Sequence, residues 1–162
     1  MTPEERSKKI ESYGMAYQTL LAALQRFPEE MWQFKPAPDA WSIHEMIVHI
    51  ADSEVSSYIC CRRLIVEPGS IVVGYDQDKW AQELHYHEQS VEDALELFKY
   101  LRKGSYLLIK GLPEATWSNT VEHTERGTLS MDDWLKIYEH HIPAHIEQMQ
   151  ANYDVWQKQR KG

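Results

Sequence analysis

The chain has 162 residues and a formal net charge of −8, with 43% hydrophobic and 26% charged residues. That length makes one domain, residues 1–162, the expectation, and it can bury a core without disulfides or metal staples. The acidity excludes nucleic acid as the main partner, because phosphate binding needs a basic face, and it argues equally against an anionic membrane surface.

The N-terminal stretch MTPEERSKKIESYG has no apolar segment of signal-peptide or membrane-spanning length. Thr2, Pro3, Glu4 and Glu5 read as a helix start, with a cap, proline in the first position and acids in the first turn. Ile10, Tyr13, Gly14, Tyr17, Leu20, Leu21 and Leu24 then recur at helical spacing, which predicts a first helix to about Arg26. Three prolines break the pattern before Trp41. Ser42 and Glu45 form a capping box that opens a second helix, ending near Val66 before EPGS. Cys60 and Cys61, the only cysteines, are adjacent on it and point about 100° apart, so a disulfide between them is not expected. Reduced thiols fit a cytoplasmic protein.

Residues 67–89 read as a long connection without a convincing period. Ser90 with Asp93 opens a third helix, with the stripe Val91, Ala94, Leu95, Phe98, Leu101, Ser105, Leu108 and Ile109. Gly111 and Pro113 close it. Ser130 with Asp133 caps a fourth helix, from 131 to nearly the end. Weak strand signals lie in 69–75 and 120–129. The expected fold is all-α, a four-helix bundle whose long connections permit neighbours other than up-down-up-down.

The last helix carries YEHHIPAHIEQM at 138–149. At 100° per residue, Met131, Trp134, Leu135, Tyr138, Ile142, Met149, Tyr153 and Trp156 share one side. His145 falls inside that stripe, His141 at its edge, and His140 nearly opposite. An i, i+4 histidine pair can converge on one metal ion, or can consist of two core histidines satisfied by hydrogen bonds. His49 is the candidate third ligand: it lies in the row Met46, His49, Ser53, Cys60, Leu64 on the second helix. Asp52 is expected to be a solvated acid. Pro143 removes one backbone hydrogen bond between His141 and His145. His85, His87 and His123 are expected in solvated loops.

WSIHEMIVHIADSE at 41–54, YDQDKWA at 75–81, ERGTLSMDDWLKIYEHH at 125–141 and HIPAHI at 141–146 together resemble the DinB-like superfamily, in its YfiT-like, bacillithiol-transferase-related branch. The resemblance covers most of the chain. The family's tryptophan, its histidine followed by hydrophobic-Ala-Asp-Ser, and its histidine pair four apart fall on Trp41, on His49 with Ala51–Asp52–Ser53, and on His141 with His145. It implies a divalent metal, typically nickel or zinc, held by His49, His141 and His145, in a four-helix bundle that is often dimeric. The chain departs from the pattern at Cys60, where the branch often has arginine, at Gly74, where proline commonly precedes the loop tyrosine, and at Pro143.

Three imidazoles leave a metal with open positions, as in catalytic sites. Such an ion can activate a thiol for S-transfer to an electrophilic small molecule, or a water for hydrolysis. The resemblance favours thiol transfer, with a low-molecular-weight thiol such as bacillithiol as co-substrate. Spacing assigns no catalytic acid or base, and a non-catalytic metal-binding or dimerisation module is the non-enzymatic alternative. Ser53, Tyr75 and Trp80 are the candidate pocket residues. The high aromatic content suggests a homodimer.

Overall fold

Each long helix begins where the side-chain chemistry supplies a cap. Thr2 and Glu5 exchange side-chain-to-backbone hydrogen bonds of 3.2 and 2.8 Å at the start of α1 (Pro3–Leu24). Ser42 and Glu45 do the same at 3.2 and 2.9 Å for α2 (Ile43–Val66). The chain continues through β1 (Ile71–Val72), α3 (Gln77–Glu83) and α4 (Val91–Ile109), the last capped by the Ser90 hydroxyl. β2 (Thr120–His123) and β3 (Gly127–Ser130) form a hairpin that runs directly into α5 (Met131–Lys161). This is a computed structural model, and it describes residues 1–161.

The four long helices make a bundle. α2 packs on α4 and α5, and α1 packs on the same two. Consecutive helices α1 and α2 therefore stand on opposite sides, which the long connection between them allows. Gly14 lets α1 approach α4: a Cβ there would meet the Tyr106 ring at 2.6 Å.

Three sequence expectations are corrected. Beyond the strand signalled at 69–75, the 67–89 connection holds α3 and a 3-10 turn at Tyr86–Glu88, where no period is apparent. α3 is held by its Asp76 cap, which accepts from the Lys79 amide at 2.9 Å, and by buried Ala81. The α4 stripe is wrong at Leu108, which is exposed, while Arg102 is buried in the core. Asp52 is half-buried rather than freely solvated, and its carboxylate accepts a 2.5 Å hydrogen bond from Tyr86. Both weak strand signals do pair. β2 joins β1 in parallel and β3 antiparallel, with Val121 opposite Leu129. Val72, Val121 and Leu129 turn inward against the bundle because alternate strand residues share a face.

The core falls into two apolar clusters. One gathers Leu20, Ile43, Ile47, Ile50, Phe98, Ile142 and Met149. The other gathers Tyr13, Leu64, Ile109, Val121, Met131, Trp134 and Leu135 around the sheet. None of the described helices is long and apolar enough to cross a membrane.

Candidate metal centre

α2 and α5 lie side by side, so the inward rows of both meet. His49 comes from α2, and His141 and His145 come from successive turns of α5. Each offers a ring nitrogen, and the three nitrogens lie within 4.8 Å of one another. Ring centroids are 4.5 Å apart for His141 and His145, 5.0 Å for His49 and His145, and 5.5 Å for His49 and His141. His140 is exposed on the opposite side of α5, as its angle predicts.

The hydrogen bonding leaves donor atoms to spare. The His145 Nδ1 faces the Gln148 Oε1 at 2.8 Å, so that nitrogen carries the proton and Nε2 presents a lone pair. This Nε2 lies 3.0 Å from the Nε2 of His141. The Nδ1 atoms of His49 and His141 are buried without any partner. Unpartnered polar atoms of this kind mark a cluster whose hydrogen bonding the protein leaves incomplete.

Electrostatics keep the rings neutral. Burial, reinforced by His145, pushes His49 down to about 3. Burial lowers His141 well below its ordinary value, with His145 and His49 adding to the effect. His145 is lowered by burial and partly restored by Gln148. Neutral imidazole is the form that ligates a metal. Three nitrogen donors converging in a buried pocket fit a borderline divalent cation. Among the described residues, no cysteine or carboxylate joins the three histidines as a fourth donor.

Trp41 covers one side, its ring 4.6 Å from that of His49. A cleft of about 370 Å³ reaches His145 between Trp41, Met46, Gln148 and Asn152, with Asp39, Gln77 and Asp78 completing the wall. Asn152 ties this wall together by donating to the Trp41 carbonyl at 2.8 Å.

Ser53 is buried one turn along α2 from His49. Tyr75 stacks on Trp80 at 4.4 Å. Burial pushes the Tyr75 phenol up to about 12, opposed by the neighbouring Ser53 hydroxyl. None of Ser53, Tyr75 and Trp80 lines the cleft over His145, which takes Gln77 and Asp78 of α3 instead. Gln148 and Asn152 were missed, although they follow His145 at i+3 and i+7 and so share its face. Asp39 lies in the proline-rich loop, where no period signals orientation.

The other histidines stay apart from the centre. His85 and His87 are exposed with ring centroids 6.1 Å apart, and no third ligand joins them among the described residues. His123 lines a separate groove of about 260 Å³ with Cys60 and Tyr138. Burial raises Cys60 to about 11 and Cys61 to about 12, so neither is a ready nucleophile.

Comparison with known proteins places this geometry. A protein of Oceanobacillus iheyensis, provisionally named a metal-dependent hydrolase, is 31% identical over 65% of this chain and 61% of its own length. A similarly named protein of Halalkalibacterium halodurans is 25% identical over 68% of this chain and 66% of its own. The matched stretch thus spans less than two thirds of either relative. YfiT of Bacillus subtilis, described as a probable metal-dependent hydrolase with an unusual four-helix bundle topology, superposes with a TM-score of 0.83 at 19% identity, covering 95% of this chain and 90% of its own. A mycothiol-dependent maleylpyruvate isomerase superposes at 0.70 with 11% identity, covering 92% of this chain and 61% of its own. The DinB superfamily pattern matches residues 13–149, which include all three clustered histidines, and the chain belongs to that superfamily.

Proposed function

We propose that His49, His141 and His145 bind one divalent metal ion, nickel or zinc, and that the protein is an enzyme transferring a small thiol to an electrophilic small molecule. The convergence of three neutral imidazoles beside an open cleft, without a fourth protein donor, carries this reading. Bound there, the ion supplies Lewis acidity and lowers the pKa of a thiol or water at its open positions. The protein's own residues keep the ligands neutral, orient His145 through Gln148, and wall the cleft with Trp41 and Met46. No carboxylate joins the three histidines as a donor, Asp52 is engaged by Tyr86, and the acids nearest to hand are Asp39 and Asp78 on the cleft wall. A thiol at such an ion needs no separate base once its pKa is lowered. The mycothiol dependence of a fold neighbour is in keeping with a thiol co-substrate.

Hydrolysis by an activated water is the second reading, favoured by the provisional names of the relatives. Asp39 and Asp78 lie on the cleft wall, and no lysine or arginine does. Zwitterionic cysteine should therefore serve better than polyanionic coenzyme A. Bacillithiol, with carboxylates and an amine, should fall between them.

Elemental analysis of the purified protein tests the first step. His49→Ala, His141→Ala and His145→Ala should each lose metal, and His140→Ala should keep it. Full occupancy in all three would overturn the assignment. Metal-loaded protein is then incubated with a generic electrophile and bacillithiol, cysteine, glutathione or coenzyme A. Thiol consumption faster than in the His145→Ala control supports transfer. Product formed without thiol assigns hydrolysis instead.

A further inference from the structure

A second polar cluster lies in the core, outside the histidine centre. Glu54 of α2 is fully buried and Arg102 of α4 is 1% exposed. The Arg102 Nε and Nη2 donate to the two Glu54 oxygens at 3.0 and 2.6 Å. The Tyr13 hydroxyl of α1 donates to the same carboxylate at 2.8 Å. The remaining Arg102 nitrogen, Nη1, donates to the Tyr138 carbonyl of α5 at 3.1 Å. One guanidinium therefore contacts groups from all four long helices, at the boundary between the two apolar clusters. Its flat faces are covered by Tyr13 and Phe98, at 4.0 and 4.9 Å from their ring centroids.

Net stability is a poor explanation for such a pair. Taking two charges out of water offsets most of their attraction, and an apolar trio of similar volume often serves as well. Its position suggests another use. Glu54 lies five residues beyond His49 on α2, and Tyr138 lies three before His141 on α5. The centre draws one ligand from α2 and two from α5, so its geometry depends on how these helices sit relative to each other. Apolar contacts tolerate small sliding, but a two-point carboxylate pair with a carbonyl bond fixes direction and register. α5 also needs bracing there. Pro143 cannot donate to the Glu139 carbonyl, so the helix lacks a rung between its two ligands.

We propose that the Glu54–Arg102 pair is a positioning element for the metal centre, locking α2 against α5 at the spacing that brings His49 to His141 and His145. The proposal rests on metal binding by those histidines. Its effect is on the ion's affinity and coordination geometry, rather than on whether the chain folds.

The test uses cobalt(II), whose visible absorption reports coordination geometry. Wild-type protein should bind one equivalent, and His145→Ala should not. If wild type binds none, or His145→Ala binds as tightly, the metal assignment itself fails. The triple variant Tyr13→Phe/Glu54→Leu/Arg102→Met replaces the network by apolar groups without leaving a buried charge. It should unfold cooperatively near the wild-type temperature yet bind cobalt about 10- to 100-fold more weakly, with shifted absorption bands. Arg102→Lys, which keeps the charge but loses the two-pronged geometry, should shift the bands in the same direction. It provides the reading if the triple variant does not fold. Unchanged bands and affinity in either folded variant would overturn the positioning role while leaving the metal assignment standing.

Discussion

At the scale of single residues, the histidines owe their behaviour to burial. His49, His141 and His145 all have proton affinities depressed by the core. The unfolded chain titrates near the ordinary histidine value of about 6.5. Between that value and the lowered native ones, the unfolded state binds protons that the native state does not, so stability rises with pH across this window. The metal-free protein should accordingly be fully stable above about pH 6.5 and lose stability progressively as pH falls toward the native value of about 3 for His49. Denaturant titrations of metal-free protein at about pH 7.5 and about pH 5 measure this; equal midpoints would contradict it. The inward direction of these three side chains was legible, because His141 and His145 share a helix face and His49 lies in a row of small and apolar residues. The engagement of Asp52 was not, because its partner Tyr86 comes from a loop 34 positions away.

At the scale of elements, the caps at Thr2, Ser42, Ser90 and Ser130 were legible because capping is local: a hydroxyl meets an amide three residues on. α3 was not, since seven residues hold too little periodicity and its anchors are the Asp76 cap and contacts made elsewhere in the fold. Pro143 is exposed, and α5 runs through it without ending. Its ring costs one backbone hydrogen bond. Pro143→Ala restores a donor to the Glu139 carbonyl and should raise the unfolding free energy by about 1–3 kcal/mol. An increased urea midpoint at unchanged slope is the expected result. A decrease would mean that the proline's rigidity, and not the missing bond, dominates at this turn.

At the scale of the whole molecule, α2 and the strand edge leave apolar residues uncovered. Val55, Ile59, Ile71 and Val73 are all exposed, and with Cys60 and Tyr138 they line the groove of about 260 Å³. β1 is a two-residue edge strand whose outward Ile71 carbonyl accepts from Arg63 at 2.6 Å, so the groove and not backbone pairing is the feature of this edge. Contiguous apolar surface of this kind commonly marks an interface, and a two-fold homodimer is the expected occupant. Sedimentation at micromolar concentration should give a dimer, and the double change Ile59→Lys/Val73→Lys should shift it to monomer without lowering metal content. Monomer alone in the wild type would reject this arrangement.

The sequence by itself determined the four long helices, their caps and the inward direction of His49, His141 and His145, while the joining of these three in one site was what the family resemblance implied. Helices, caps and directions depend on spacing within one element, and the helical period carries that information. The tertiary structure alone decided that α1 and α2 stand on opposite sides, that Arg102 is buried and Leu108 is not, and that α3 supplies Gln77 and Asp78 to the cleft. Each of these depends on which distant element arrives. A buried arginine is tolerable only because Glu54, Tyr13 and Tyr138 come from three other helices to meet it, and nothing within α4 signals their approach.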